Sequence, residues 1–92
     1  MTKIYKYALR ITDRQEVMMP VDSKILSVAF QKSTGVIALW ARVNPDAPLV
    51  TRYFAIHGTG HDASSTEDAA FLGTVIIEDG ALVFHVFEVP SW

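Results

Sequence analysis

The residues whose types and spacing could do chemistry are concentrated in Tyr53-Phe54-Ala55-Ile56-His57-Gly58-Thr59-Gly60-His61-Asp62, where a strand-like run breaks into two glycines bracketed by two histidines. Three chemistries are open to them. Glycines let successive backbone N–H groups converge on an anion, so Gly58-Thr59-Gly60, with the Thr59 hydroxyl, could form a phosphate-binding nest. It is not a P-loop, because no Gly-Lys-Ser/Thr follows. His57 and His61, with Asp62 and with His85 from a later strand, carry donor types suited to zinc or another transition metal. The four-residue spacing places two imidazoles on one face only in a helix, however, and two glycines oppose a helix here. The same histidines could serve as acid and base. Against all three stands a plainer account, in which His57 closes a strand at the rim and His61 bonds the loop's own backbone.

Other candidates are weaker. Arg52 lies on an otherwise apolar strand face and could extend the anion site. Trp40 and Arg42, two apart and therefore on one strand face, offer a stacking surface beside a cation, a combination useful for a base and its phosphate. The competing reading is a core or interface tryptophan beside a solvated arginine. Ser64 and Ser65 lack a nucleophile-elbow pattern. Glu67, Asp68, Glu78 and Asp79 read as turn and cap residues. The candidate ligand-binding set is thus Trp40, Arg52, His57, Gly58, Thr59, Gly60 and His61, with no catalytic residue, metal or cofactor assigned. A non-enzymatic protein is expected.

The elements that must position this set are strands. Lys3 to Ile11 alternates, with Tyr5, Tyr7, Leu9 and Ile11 on one face. Thr12-Asp13-Arg14 reads as a turn and Gln15 to Met19 as a second strand stopped by Pro20, which predicts an N-terminal hairpin. Ile25 to Gln31 and Val36 to Val43 flank Lys32-Ser33-Thr34-Gly35, a loop suited to a hairpin that sets Phe30 against Ile37, Val28 against Leu39 and Ser27 against Trp40. The second run is apolar on both faces and is expected to be central. Asn44-Pro45-Asp46-Ala47-Pro48 breaks the chain before Leu49 to Ile56. The Gly58 to Ala69 connection is long for so small a domain. Within it Ser65-Thr66-Glu67-Asp68 could cap one helical turn reaching Ala70. Leu72 to Glu78 and Ala81 to Val89 flank Asp79-Gly80, a type I′ turn signal that pairs Ile77 with Leu82, Val75 with Phe84, Thr74 with His85 and Gly73 with Val86. The small Gly73 leaves room for a neighbouring side chain or a ligand. Seven strands without an ordinary helix predict an all-β antiparallel sandwich or small barrel built from hairpins.

Composition bounds the function. Ninety-two residues make one expected domain, 1–92, whose folding leaves roughly two-fifths of the unfolded chain's surface exposed, so self-association would help it. Eight Lys plus Arg against ten Asp plus Glu give a net charge of -2, which disfavours duplex nucleic acid as partner. The absence of cysteine removes disulfides and thiolate chemistry. No window approaches a membrane-spanning apolar length, and a cytoplasmic location without membrane attachment is expected.

Lys3-Ile4-Tyr5-Lys6-Tyr7, Ile11-Thr12-Asp13, Met19-Pro20, Ile25-Leu26-Ser27-Val28, Leu39-Trp40-Ala41, Asn44-Pro45-Asp46-Ala47-Pro48, Gly58-Thr59-Gly60-His61, Phe71-Leu72-Gly73-Thr74 and Leu82-Val83-Phe84-His85-Val86-Phe87-Glu88 cover nearly the whole chain. Together they resemble a family of small phage-encoded proteins that share a domain of unknown function. The resemblance implies a virus-derived protein made in the cytoplasm of an infected bacterium. It further implies a module that counters host defence by binding a host protein or an anionic nucleotide-type small molecule. A structural protein acting through a homo-oligomer, a sheet edge or Trp92, and a metal-assisted hydrolase using His57, His61 and His85, are the alternatives.

Overall fold

The protein is described by a computed structural model covering residues 1–77 and 80–90. Seven strands follow one another: β1 (Lys3–Leu9), β2 (Gln15–Pro20), β3 (Lys24–Gln31), β4 (Val36–Val43), β5 (Leu49–Gly58), β6 (Ala70–Ile77) and β7 (Leu82–Val89). They form two antiparallel sheets, ordered β1-β4-β3 and β2-β5-β7-β6. Period-2 alternation decides which residues meet between the sheets. Leu9, Ile37, Leu39, Ala41 and Val43 from the first join Met19, Phe54, Ile56, Val75, Ile77 and Val86 from the second in one buried core. Each fully buried side chain of the Leu39 or Phe54 kind contributes roughly 1.5–3 kcal/mol through removal from water.

Both expected hairpin registers hold. Phe30 pairs with Ile37, Val28 with Leu39 and Ser27 with Trp40; Ile77 pairs with Leu82, Val75 with Phe84, Thr74 with His85 and Gly73 with Val86. β4 is central, as its two apolar faces require. Gly80 adopts φ 99, while Glu78 and Asp79 of the expected turn, like Ser91 and Trp92, lie outside the described residues. Gly73 makes room for a neighbour from the opposite sheet: a Cβ there would stand 2.6 Å from Val28 Cγ2.

The expected N-terminal hairpin does not form. β1 pairs with β4 and β2 with β5, so the chain changes sheets between Leu9 and Gln15. The buried side chain of Gln15 explains the corner. Its Nε2 donates to the Arg10 carbonyl at 2.7 Å and its Oε1 accepts from the Arg10 N–H at 3.0 Å, so a side-chain amide replaces a strand partner. The helical turn expected across residues 65–70 is likewise displaced, to a 3-10 turn at Ser64–Thr66. Asp62 organises its start, accepting from both Ser64 N and Ser64 Oγ.

β5 and β6 each run antiparallel to the β7 between them and are therefore parallel to one another. Residues 59–69 must travel the length of the sheet to join them, which accounts for a connection too long for a hairpin.

Candidate functional site

The structure divides the candidate residues among three places. At the first, the end of the four-stranded sheet, His57 and His85 are directly opposed on β5 and β7 and share the face turned away from the core. His85 is held by two hydroxyls, Thr59 Oγ1 at 2.8 Å from Nε2 and Thr74 Oγ1 at 3.0 Å from Nδ1. His57 is buried; its Nδ1 lies 3.7 Å from Asp13 Oδ1, and its Nε2 is buried without a hydrogen-bond partner. His61 turns the other way. Its ring rests where a Gly58 side chain would begin, with Cε1 and Nδ1 both 3.2 Å from that position and Phe84 Cε1 at 3.6 Å. Because consecutive strand residues point to opposite faces, His61 lies on the core side of β5 and His57 on the outer side, so the two imidazoles do not converge.

The anion nest is not assembled either. The Thr59 N–H donates to the Val83 carbonyl of β7 at 3.1 Å and the His61 N–H to the Gly58 carbonyl at 3.1 Å, so these two amides are engaged with backbone carbonyls and do not converge on an anion. Gly58, Thr59 and His61 instead line a shallow groove with Leu82, Val83 and Phe84. Next to it, the two Ser64 hydrogen bonds, backbone first, hold the Asp62 carboxyl below its ordinary value of 3.8. Among the described residues no three His, Asp or Glu side chains are placed to hold one metal ion.

Arg52 occupies the second place, at the far end of β5. Its Nε and Nη2 donate to Glu88 Oε2 and Oε1 at 2.6 and 2.8 Å, and its Nη1 donates to the Ser23 carbonyl. The hydrogen bonds to Glu88 raise its pKa above the ordinary arginine value, against the opposing effect of burial. The guanidinium thereby clamps β5, β7 and the turn before β3. Asp68 lines the adjoining groove with Glu88, so this end does not favour a second anion. Nearby, burial is the main influence raising the Tyr7 hydroxyl, with Tyr5 adding to it and Arg52 opposing it.

Trp40 stands at the third place, on the other sheet altogether. Ile37, Leu39, Ala41 and Val43 fill the core side of β4, which turns Trp40 and Arg42 outward. Register sets Lys6 of β1 and Ser27 of β3 beside Trp40, and Ile4 and Lys24 beside Arg42. Lys6 Nζ donates to Gln31 Oε1 at 2.9 Å, spanning the sheet from β1 to β3. The strands of this sheet contain four cations, Lys3, Lys6, Lys24 and Arg42, and no carboxylate; the rest of the chain holds the other four cations and all ten carboxylates. Asp22, at φ 63, lines a groove with Lys24 and Arg42 but makes no ion pair with either.

The family described as Domain of unknown function (DUF7352) matches residues 1–91. The chain belongs to that family. No curated protein and no solved structure matches it.

Sequence reasoning singled out Arg52 and Trp40 as candidates but not the residues that the structure sets beside them. Glu88 could have been found, since Arg52 and Glu88 are the lone charges at core-facing positions of their strands. Lys6 and Lys24 required the long-range β1–β4 register in addition to the local hairpin.

Proposed function

We propose that the protein is a non-enzymatic binding module that captures an anionic, nucleotide-type molecule on the outer face of the β1-β4-β3 sheet. Trp40 supplies the stacking platform, and Lys6, Lys24 and Arg42 supply the cations. The observation that carries this reading is charge segregation: a chain of net charge -2 keeps one whole sheet free of carboxylates and places an indole among the cations there. A base stacks on an aromatic face regardless of its identity, and phosphate is attracted by clustered Lys and Arg. The Thr59-His85-Thr74 cluster and the Arg52-Glu88 pair act as braces.

The module is phage-encoded and works in the cytoplasm of the infected bacterium, where sequestering a nucleotide signal blunts host defence; the resemblance to phage proteins supports this part. Trp40 becomes the sole indole in a Trp92→Phe background, so titration with nucleotides and oligonucleotides should quench its emission. Lys24→Gln with Arg42→Gln should weaken the response. Absence of quenching by every nucleotide, free or polymeric, rejects the reading.

A second reading, an interaction protein, is favoured by Phe71 and Ile76, which are 60% and 61% exposed on the outer face of β6. A host protein or a second copy would cover them. Native mass spectrometry of the wild type beside Phe71→Ser with Ile76→Ser tests this, since loss of a dimer in the variant supports it and an unchanged monomer opposes it.

A further inference from the structure

We infer that the occupant of the Trp40 face is single-stranded nucleic acid rather than a free nucleotide, an inference that rests on reading this face as an anion-binding surface. Small molecules are held in concave sites that bury most of their surface. Here the small residues Ala8, Ala38 and Ala29 lie side by side across the three strands next to the Lys6-Trp40-Ser27 row; Ala8 and Ala29 are exposed and Ala38 is covered, so the ground beside the indole is shallow and not a deep pocket. The cations lie on both neighbouring strands: Lys6 is directly beside Trp40, and Lys24 is beside Arg42, one outward pair along from the Ser27 that adjoins the indole. Lys6 on β1 and Lys24 on β3 are two strand spacings, about 10 Å, apart across the sheet and offset by about 7 Å along it, with Trp40 and Arg42 on β4 between them. A mononucleotide carries its phosphates at one end and reaches one side of a stacked base. A polymer places phosphates before and after that base and reaches both.

Duplex is disfavoured because a paired base cannot be laid on Trp40, whereas unpaired bases splay onto aromatic rings. An anionic bilayer is disfavoured because the exposed aliphatic residues of β1, β3 and β4 are few, Ile4 at 62% and Leu26, at the β3 bulge, at 39%. Lys24 and Arg42 are exposed and have no carboxylate within ion-pair distance among the described residues, and the Lys6–Gln31 hydrogen bond is exposed and exchangeable.

The test measures binding of a labelled oligothymidylate of about 12 nucleotides, competed by thymidine triphosphate, by the corresponding duplex and by phosphatidylglycerol vesicles. The oligonucleotide should bind at least about tenfold tighter than the triphosphate, with a log–log salt slope near -2 for three neutralised phosphates. Arg42→Gln should reduce that slope by about 0.7. Trp40→Leu should weaken binding roughly ten- to a hundredfold, the loss of one stacked base. The Lys24→Gln, Arg42→Gln variant changes only exposed side chains and keeps the test valid if the Trp40 variant fails to fold. Triphosphate binding as tight as the oligonucleotide overturns this inference and leaves the binding-module reading standing. Equal or tighter binding to duplex or vesicles also overturns it. No binding to any probe ends both.

Discussion

Val28 and Gly73 show how one missing methyl group can hold two sheets at their working distance. A β-carbon at Gly73 would stand 2.6 Å from the Val28 methyl, and a β-branched side chain has little rotamer freedom with which to retreat. Gly73→Ala should therefore destabilise the protein by about 1–3 kcal/mol in chemical denaturation, and combining it with Val28→Ala should recover much of the loss. Asp62 offers a second residue-scale check. Its folded pKa is depressed, so its contribution is present above the ordinary value of 3.8 and is lost as pH falls through the lower folded value. The Ser64 amide resonance should follow that transition below pH 3.8 and cease to do so in Asp62→Ala. At this scale the sequence was partly legible. The turn expected from Asp79-Gly80 predicted Gly73 opposite Val86, as the register has it, but the group that occupies the gap belongs to the other sheet, which local pairing does not specify.

Among elements, local connections were readable and distant ones were not. The registers of β3 with β4 and of β6 with β7 are those expected from the short sequence separation of each pair. The chain from β1 to β2 has the appearance of another hairpin, yet the Gln15 carboxamide turns it into a corner between sheets. Gln15→Ala should cost about 1–3 kcal/mol by leaving Arg10 backbone groups unsatisfied. Leakage of this loss into β1 and β2 together, seen as faster amide exchange in both, identifies the corner as their shared anchor. The Arg52-Glu88 pair acts on the same scale. Both side chains are about one-fifth exposed, at 19% and 22%, so Arg52→Ala should cost roughly 1–3 kcal/mol, below the range for a fully buried pair. The Arg52→Ala, Glu88→Ala double variant should lose less than the sum of the singles. Additive losses would mean that the two side chains act independently. Arg52 was legible as a cation on an apolar face, but its assignment to the histidine loop failed because at least five residues of extended strand separate them.

For the whole molecule, the relevant property is how charge is distributed over the two sheets. Net charge alone pointed away from polyanions, and that inference averaged over a division that appears only when β1, β3 and β4 are brought together. Under the proposed anion binding, four cations without a carboxylate on the strands of one sheet should steer an anion's approach, an effect that weakens with salt. Raising ionic strength from about 50 to 200 mM should therefore slow oligonucleotide association in stopped-flow measurements. An association rate indifferent to salt would show that the asymmetry has no kinetic role.

The corner at residues 10–14 also bears on how the protein is born. A growing polypeptide emerges with its first two strands bereft of partners, because β1 waits for β4 and β2 waits for β5. Until residue 43 clears the ribosome the tyrosine-bearing first strand remains an open edge, and until about residue 58 does, the second strand has no partner either, each available meanwhile to chaperones or to misassembly.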